Sequence, residues 1–229
     1  MIDIHSHILP FVDDGSHDCD CSIEMIKESI EQGTTGIFLT PHYRNNYKLS
    51  PSQIKQEFLK FKKTISEQDI SVNLYLGQEI YIDSDYKEYF AKGDIITLNK
   101  SRYVLIEYDF INEVDYAEIA YEIIRLGYVP IIAHFERYAK ADISTAVEIK
   151  NMGGLIQVNA ESIVGKQKRH YYKKVKKLLA NGIVDFVASD VHFNRENYLL
   201  KAQNFIKKKF GEQIAQDVFV ENAKKIIKG

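Results

Sequence analysis

The sequence predicts an α/β fold built from parallel strands. Three observations carry this. Short apolar runs recur seven times along the 229 residues. Most are followed by an amphipathic stretch of helical period. The runs themselves are continuously β-branched or aliphatic rather than alternating, as strands buried on both faces are. A doubly wound sheet and a closed barrel both satisfy that pattern. No linker, low-complexity tract or internal repeat breaks it, so one domain over residues 1–229 is expected.

The elements follow in order. IDIH (2–5) is the first strand, and CSIEMIKESIEQG (21–33) is a helix closing on a glycine. TGIFLT (35–40) is the second strand. The helix SPSQIKQEFLKFKKTISEQ (50–68) opens with Ser50 as N-cap and Pro51 in the first helical position. VNLYLG (72–77) and YVLIEY (103–108) are the third and fourth strands, and DYAEIAYEIIRLG (115–127) is the helix after the fourth. VPIIAH (129–134) and GLIQVN (154–159) come next, followed by the helix HYYKKVKKLLANG (170–182). IVDFVAS (183–189) is the last strand. Two helices, ENYLLKAQNFIKKKFG (196–211) and EQIAQDVFVENAKKIIK (212–228), finish the chain.

Composition narrows the classes of function. The chain is 45% hydrophobic and 27% charged, with a formal net charge of -2, so no global field favours nucleic acid or acidic lipid. No run of about 18 apolar residues exists to span a membrane. The first strand is expected to begin at Ile2, and no removable leader is expected before it. Cys19 and Cys21 stand one residue apart, which suits a reducing compartment better than a disulfide framework, and a cytoplasmic protein is expected. Neither cysteine belongs to a Cys-x5-Arg phosphatase loop, because the residues six further on are Met25 and Lys27.

Chemistry concentrates where the strands give out. The first strand ends in His5 and His7, two apart and therefore on one side of an extended chain, with Asp13 and Asp14 behind them. The second runs into Thr40-Pro41-His42, and the third into Gly77-Gln78-Glu79. Glu107, His134 and Asn159 end the next three, and the seventh runs to Asp190 and His192. In parallel α/β folds these ends share one face, where sites are built. Five of the seven histidines fall there, and buried carboxylates beside them need compensating positive charge. Together they point to a metal site. His17 and His170 lack such company and read as surface residues.

The motifs HSH (5–7), DDG (13–15), TPH (40–42), GQE (77–79), HFER (134–137) and SDVH (189–192) resemble those of the polymerase and histidinol phosphatase (PHP) superfamily. Within it the chain is similar, over its whole length, to the bacterial manganese-dependent protein-tyrosine phosphatases of capsule and exopolysaccharide operons. The resemblance implies a distorted (β/α)7 barrel of the PHP type, with three divalent ions at the C-terminal ends of the strands. It gives His5, His7, Glu79 and Asp190 to the first ion. Glu79, Glu107 and His134 go to the second, Glu79 bridging, and Asp14, His42 and His192 to the third. Arg137 and Arg195 match the family's phosphate-binding arginines. Manganese is the expected metal, with iron or zinc as alternatives. The implied substrate is a phosphotyrosine protein, the tail of a bacterial tyrosine kinase that regulates capsule synthesis, with neither nucleic acid nor membrane insertion involved. The chain departs from the family at Phe135, where HPER is usual, at Tyr43, where a second histidine is frequent, and in a short segment between His192 and Arg195.

The implied chemistry is self-consistent. Imidazole and carboxylate without thiolate suit manganese, iron or zinc. Three divalent ions bring six positive charges against four from Asp14, Glu79, Glu107 and Asp190, and the remainder suits a phosphate dianion. Two such ions held about 3.5–4 Å apart would lower the pKa of bound water and polarise the phosphoryl group, and the arginines would neutralise the phosphoryl oxygens. Tyr43, Tyr47 and Phe135 are the candidates to stack on a phosphotyrosyl ring. The basic stretch GKQKRHYYKKVKK (165–177) is either a solvated helix face or a surface for an acidic tail. Competing functions on the same core are a histidinol-phosphatase-like enzyme, a nucleotide phosphodiesterase, and a non-catalytic regulatory module that keeps metals for stability.

Overall fold

The computed structural model describes residues 1–44, 46–47, 49–110 and 114–229. Its strands are β1 (Ile2–Asp3), β2 (Gly36–Leu39), β3 (His42–Tyr43), β4 (Asn73–Leu76), β5 (Glu79–Tyr81), β6 (Tyr103–Glu107), β7 (Val129–Ile132), β8 (Leu155–Asn159) and β9 (Phe186–Ala188). All pairings between them are parallel, in a three-stranded order β1-β2-β4 and a six-stranded order β3-β5-β6-β7-β8-β9. The two sheets are one. β2 and β3 are a single strand interrupted at Thr40-Pro41, and β4 and β5 one interrupted at Gly77-Gln78. Hydrogen bonds cross the gap, from Gly77 N to the Leu39 carbonyl at 2.9 Å and from Glu79 N to the Pro41 carbonyl at 3.1 Å. Merged in this way, the nine segments are the seven expected strands.

The ring then closes. Ser6 bridges Val191 in parallel, Asp190 N donates to the His5 carbonyl at 2.9 Å, and His7 N donates to the Val191 carbonyl at 3.0 Å. Buried Asp3 fastens the same seam by accepting from Ser189 N at 3.0 Å and Ser189 Oγ at 2.5 Å. Burial lifts the Asp3 carboxyl to about 6 against the pull of these donors. Of the two architectures that the periodicity allowed, the closed barrel is the one formed. Its distortions lie at the interruptions, where the ladder gives way to His42 and Glu79.

The helices are α1 (Cys19–Glu31), α2 (Pro51–Glu67), α3 (Tyr86–Lys92), α4 (Tyr116–Arg125), α5 (Ile143–Asn151), α6 (Ala160–Ile163), α7 (Arg169–Ala180), α8 (Leu199–Phe210), α9 (Glu212–Gln216) and α10 (Asn222–Lys228). Ser50 caps α2 in a reciprocal box with Gln53, and Pro51 is its first residue. Sequence periodicity anticipated α1, α2, α4, α7, α8 and the C-terminal pair. It passed over α3, α5 and α6, each of nine residues or fewer, too short for a helical period to stand out. The last predicted helix holds a π-helical turn at Asp217–Glu221 between α9 and α10.

The barrel interior is filled by Phe38, Leu105, Ile131 and Phe186, and Ala223 and Ile226 of α10 pack against them. Their sequence neighbours Ile37, Ile106, Ile132 and Val187 point outward into the helical layer. The same alternation carries Glu107 inward two residues beyond Leu105. Hydrophobic side chains therefore occupy the middle of the barrel and polar ones its C-terminal mouth.

Candidate metal centre

His5 and His7 leave β1 on one side of the chain, and the seam with Val191 sets them beside Asp190. Both are fully buried. Their Nε2 atoms face each other at 3.1 Å. His5 Nε2 stands 3.4 Å from Glu79 Oε1 and 3.5 Å from Asp190 Oδ1, and His7 Nε2 stands 3.3 Å from Glu79 Oε2 and 3.5 Å from Asp190 Oδ1. Two atoms each about 2.1 Å from one ion lie about 3.0 Å apart at octahedral angles and about 3.4 Å at tetrahedral ones. The observed separations fit a shared cation.

Glu79 is the hub. Besides His5 and His7, it faces His134 Nε2 through Oε1 at 2.8 Å and His42 Nδ1 through Oε2 at 2.8 Å. Glu107 Oε1 lies 3.6 Å from the same His134 nitrogen. On the other side, Asp14 Oδ1 faces His42 Nε2 at 3.4 Å and His192 Nε2 at 3.7 Å. All nine residues predicted as ligands thus meet in one centre. Three sets of donor atoms gather within metal-binding reach: His5, His7 and Asp190; His7, Asp14, His42 and His192; and His42, Glu79 and Glu107. This division differs from the implied one in sharing His7 and His42 between sets and in leaving His134 on Glu79 and Glu107 alone.

The donor set fits divalent ions. His42 Nδ1, Glu79 Oε2 and Glu107 Oε2 are buried without a hydrogen-bond partner, although the first two approach to 2.8 Å. Burial together with the charges of Glu79 and Asp190 pushes the Glu107 carboxyl up to about 8. A cluster of this kind is costly unless cations neutralise it.

Residues behind the donors aim them. Asp13 Oδ2 accepts from His7 Nδ1 at 2.7 Å and from His42 N at 3.0 Å, which leaves His7 Nε2 as the free donor atom. Gln157 Oε1 faces His5 Nδ1 at 3.2 Å and accepts from His134 N at 2.9 Å. Asn159, two residues along β8 and on the same face, donates from Nδ2 to Asp190 Oδ2 at 2.8 Å. Gly15 lets the Asp13-Asp14 loop lie against His7, since a Cβ there would meet the His7 carbonyl oxygen at 2.0 Å. His134 and Asp190 hold left-handed backbones at φ 33° and 52°, and strain of this kind gathers at functional positions. Asp13→Asn should weaken metal affinity about 10- to 100-fold with little change in fold. Metal titration followed by calorimetry measures it, and an unchanged affinity would remove Asp13 from the support of His7.

The two predicted arginines are placed differently. Arg137 is 30% exposed and pairs through Nη1 with Asp190 Oδ2 at 3.2 Å. Arg195 is exposed, and its backbone N donates to the His192 carbonyl at 3.1 Å. Its charge still acts on His192, whose imidazole is lowered to about 3 by burial first, then by His7 and Arg195. Sequence reasoning missed Arg44, whose Nη2 meets Asp14 Oδ2 at 3.1 Å. Only its place two residues after His42 could have signalled it.

Two aromatic expectations need correction. Tyr43 and Phe135 are buried in the core, packed against the helical layer, and present no face to a ligand. Tyr47, half-buried, stands 6.1 Å from His42, ring to ring. His17 and His170 lie on the surface as expected. The basic stretch forms α7, where Arg169, Lys173, Lys176 and Lys177 line a groove of 860 Å³ that contains none of the nine donors. Cys21 is buried and points its thiol at Met25 Sδ, 3.9 Å away. Among the described residues no helix is long and apolar enough to cross a membrane.

Fold and donor set define a class: a parallel α/β barrel with a cluster of imidazoles and carboxylates at the C-terminal strand ends, of the kind that assists hydrolysis with divalent metals. The chain belongs to the CpsB/CapC family of capsular polysaccharide synthesis, which matches residues 1–228. It is 35% identical over 240 residues to the tyrosine-protein phosphatase CpsB of Streptococcus pneumoniae, covering 99% of this chain and 98% of that one. It superposes with a TM-score of 0.91 on a chain from the crystal structures of YwqE from Bacillus subtilis and CpsB from Streptococcus pneumoniae, described as unique metal-dependent tyrosine phosphatases. The identity there is 32%, with 100% of this chain and 94% of that chain covered. Histidinol phosphate phosphatase from Lactococcus lactis matches with a TM-score of 0.60 at 14% identity, over 90% of this chain and 93% of that one, and shows the fold alone.

Proposed function

We propose that this protein is a metal-dependent protein-tyrosine phosphatase of capsule or exopolysaccharide synthesis, acting in the cytoplasm on the phosphotyrosine tail of a bacterial tyrosine kinase. The observation that carries the reading is the convergence of five imidazoles and four carboxylates, several with unpartnered buried atoms, in a chain whose full-length relatives are tyrosine-protein phosphatases. His5, His7, Asp14, His42, Glu79, Glu107, His134, Asp190 and His192 would hold three divalent ions, manganese first and iron or zinc as alternatives. When bound, such ions polarise phosphoryl oxygens and lower the pKa of water towards neutrality.

The remaining steps belong to the chain. Glu79, touching four imidazoles, holds the donors in one constellation. Asp13, Gln157 and Asn159 keep His5, His7 and Asp190 turned inward. Arg137 is anchored on Asp190 yet reaches solvent, so its remaining N–H groups are available to bind phosphoryl oxygens and to follow charge as it shifts. Arg195 and Arg44 add positive charge at the rim. Cys21 is buried on Met25, and neither it nor the partly buried Cys19 heads a Cys-x5-Arg loop, so turnover is expected without a cysteinyl intermediate.

A panel of phosphotyrosine peptide, histidinol phosphate and an oligonucleotide, assayed with manganese, tests this reading. The expected result is that phosphotyrosine peptide has the highest kcat/KM. Preference for histidinol phosphate or for the oligonucleotide would replace it with one of the other hydrolases. Inactivity on all three with metal bound would leave a regulatory module.

A further inference from the structure

Three phenylalanines are exposed among the described residues, and each sits in a loop that carries candidate donors of the metal centre. Phe11, 64% exposed, lies between His7 and Asp14. Phe193, 40% exposed, follows His192 directly. Phe110, 42% exposed, comes three residues after Glu107. None of the three is buried in the core, and the part of each ring left in water forgoes its burial free energy. Phe11 even holds a left-handed backbone, φ 66°, which a bulky residue adopts at a cost.

Their placement is not scattered. The Phe11 loop is closed by a hydrogen bond from Phe11 N to the Ser16 carbonyl at 3.1 Å, and the next residue, His17, meets the Phe193 ring edge-on at 4.4 Å. Phe11 and Phe193 therefore belong to one wall, beside Asp14 and His192. Phe110 belongs to the other. In the order β1, β2/β3, β4/β5, β6, β7, β8, β9 its strand, β6, is as far around the ring from the β1–β9 seam as a strand can be. Its ring stacks on Tyr138 at 5.3 Å and 17°, and lies 5.4 Å from the His134 ring. The Arg137 guanidinium stands 5.0 Å from the centre of the Phe110 ring.

We infer that Phe110 on one side, and Phe11 with Phe193 on the other, form an apolar rim that receives the phenyl ring of a phosphotyrosine whose phosphate has entered the centre below. This rests on the phosphatase reading above and supplies its choice of amino acid. Eight of the nine donors are buried, Asp14 alone being exposed, and the rim stands above them, so a substrate needs a spacer between its phosphate and its backbone. Tyrosine has one, rigid and aromatic. Serine hangs its phosphate from Cβ and would have to bring its peptide into the mouth. The ring gains edge or face contact with phenylalanine and loses water. Arg137, touching both Phe110 and Asp190, joins the ring-binding rim to the phosphate-binding floor.

The test compares two peptides of one sequence, carrying phosphotyrosine or phosphoserine, with the manganese-loaded protein. The readout is the ratio of their kcat/KM values, with metal content and melting temperature recorded for each variant. Phe110→Ala is expected to lower the ratio about tenfold, chiefly through KM on the phosphotyrosine peptide. Phe110→Tyr, which keeps the ring, is expected to retain it, and Phe11→Ala combined with Phe193→Ala to lower it as Phe110→Ala does. A ratio unmoved by either alanine variant overturns the inference. So does an equal loss on both peptides, which would make the phenylalanines structural. A parent protein that hydrolyses neither peptide would instead overturn the phosphatase reading.

Discussion

Stripping divalent ions from the protein is expected to abolish its hydrolysis of a phosphotyrosine peptide, with Mn²⁺ restoring turnover better than Mg²⁺. The reason lies in the donors. Five of the nine are imidazoles, and Mg²⁺ prefers oxygen ligands in a strict octahedron and gives up its waters reluctantly. The separations of 3.1–3.5 Å around His5, His7, Glu79 and Asp190 suit an ion that accepts nitrogen and oxygen together. Glu79 and Glu107 leave buried oxygens unpartnered, so no protein hydrogen bond takes over when the ions go. The measurement is kcat before and after dialysis against a chelator, with metal analysis confirming the stripped state, then on adding back each ion. Full turnover in the stripped protein would sink the metal mechanism.

Arg137→Ala comes second in expected effect. Its guanidinium is 30% exposed and held by Asp190 Oδ2 at 3.2 Å, so one edge is committed and the rest faces the mouth. Burial works to lower its pKa, but the charge of Asp190 and the other carboxylates outweighs this, and it stays protonated at every working pH. Removing a preorganised cation that binds the transferring phosphoryl group costs about 2–4 kcal/mol, or about 30- to 1000-fold in kcat/KM. Metal content should hold, because arginine is not a ligand, whereas His134→Ala should lose metal as well as rate. Arg195→Ala should lose less than Arg137→Ala, because its side chain is exposed at the rim. A parent-like rate for Arg137→Ala on a phosphotyrosine peptide would move the phosphate elsewhere in the centre.

Much of the site was legible because its signals are local. His5 and His7 are two apart on an extended chain with Asp14 in the loop behind, and His42, Glu79, Glu107, His134, Asp190 and His192 stand where apolar runs give out, so the nine candidate donors could be named from the chain. Seven strands were legible for the same reason. Their partition among ions was not, because Glu79 and His42 reach their neighbours from strands distant in sequence. The aromatic candidates failed on orientation. Phe135 and Tyr43 adjoin donors in sequence but turn into the core, while Phe110, unremarked in a loop, faces the mouth. Gln157 and Asp3 were silent, and Asn159 was legible only as a strand end, since a buried amide or carboxylate looks like any other until its partner from a separate strand is known.

What the sequence by itself determined is the inventory: the strand–helix alternation, the caps at Ser50 and Pro51, and the donors at the strand ends. These depend on side-chain type and on spacing within a few residues, and both are written in the chain. What only the tertiary structure decided is closure and aim. Whether seven parallel strands lie open or close depends on the Ser6–Val191 bridge and the Asp3–Ser189 clasp, contacts between residues about 185 positions apart. Which way each ring and carboxylate points is set by the backbone turns at His134 and Asp190 and by hydrogen bonds from other strands. Such contacts carry no periodicity along the chain, because they are satisfied only when distant segments meet.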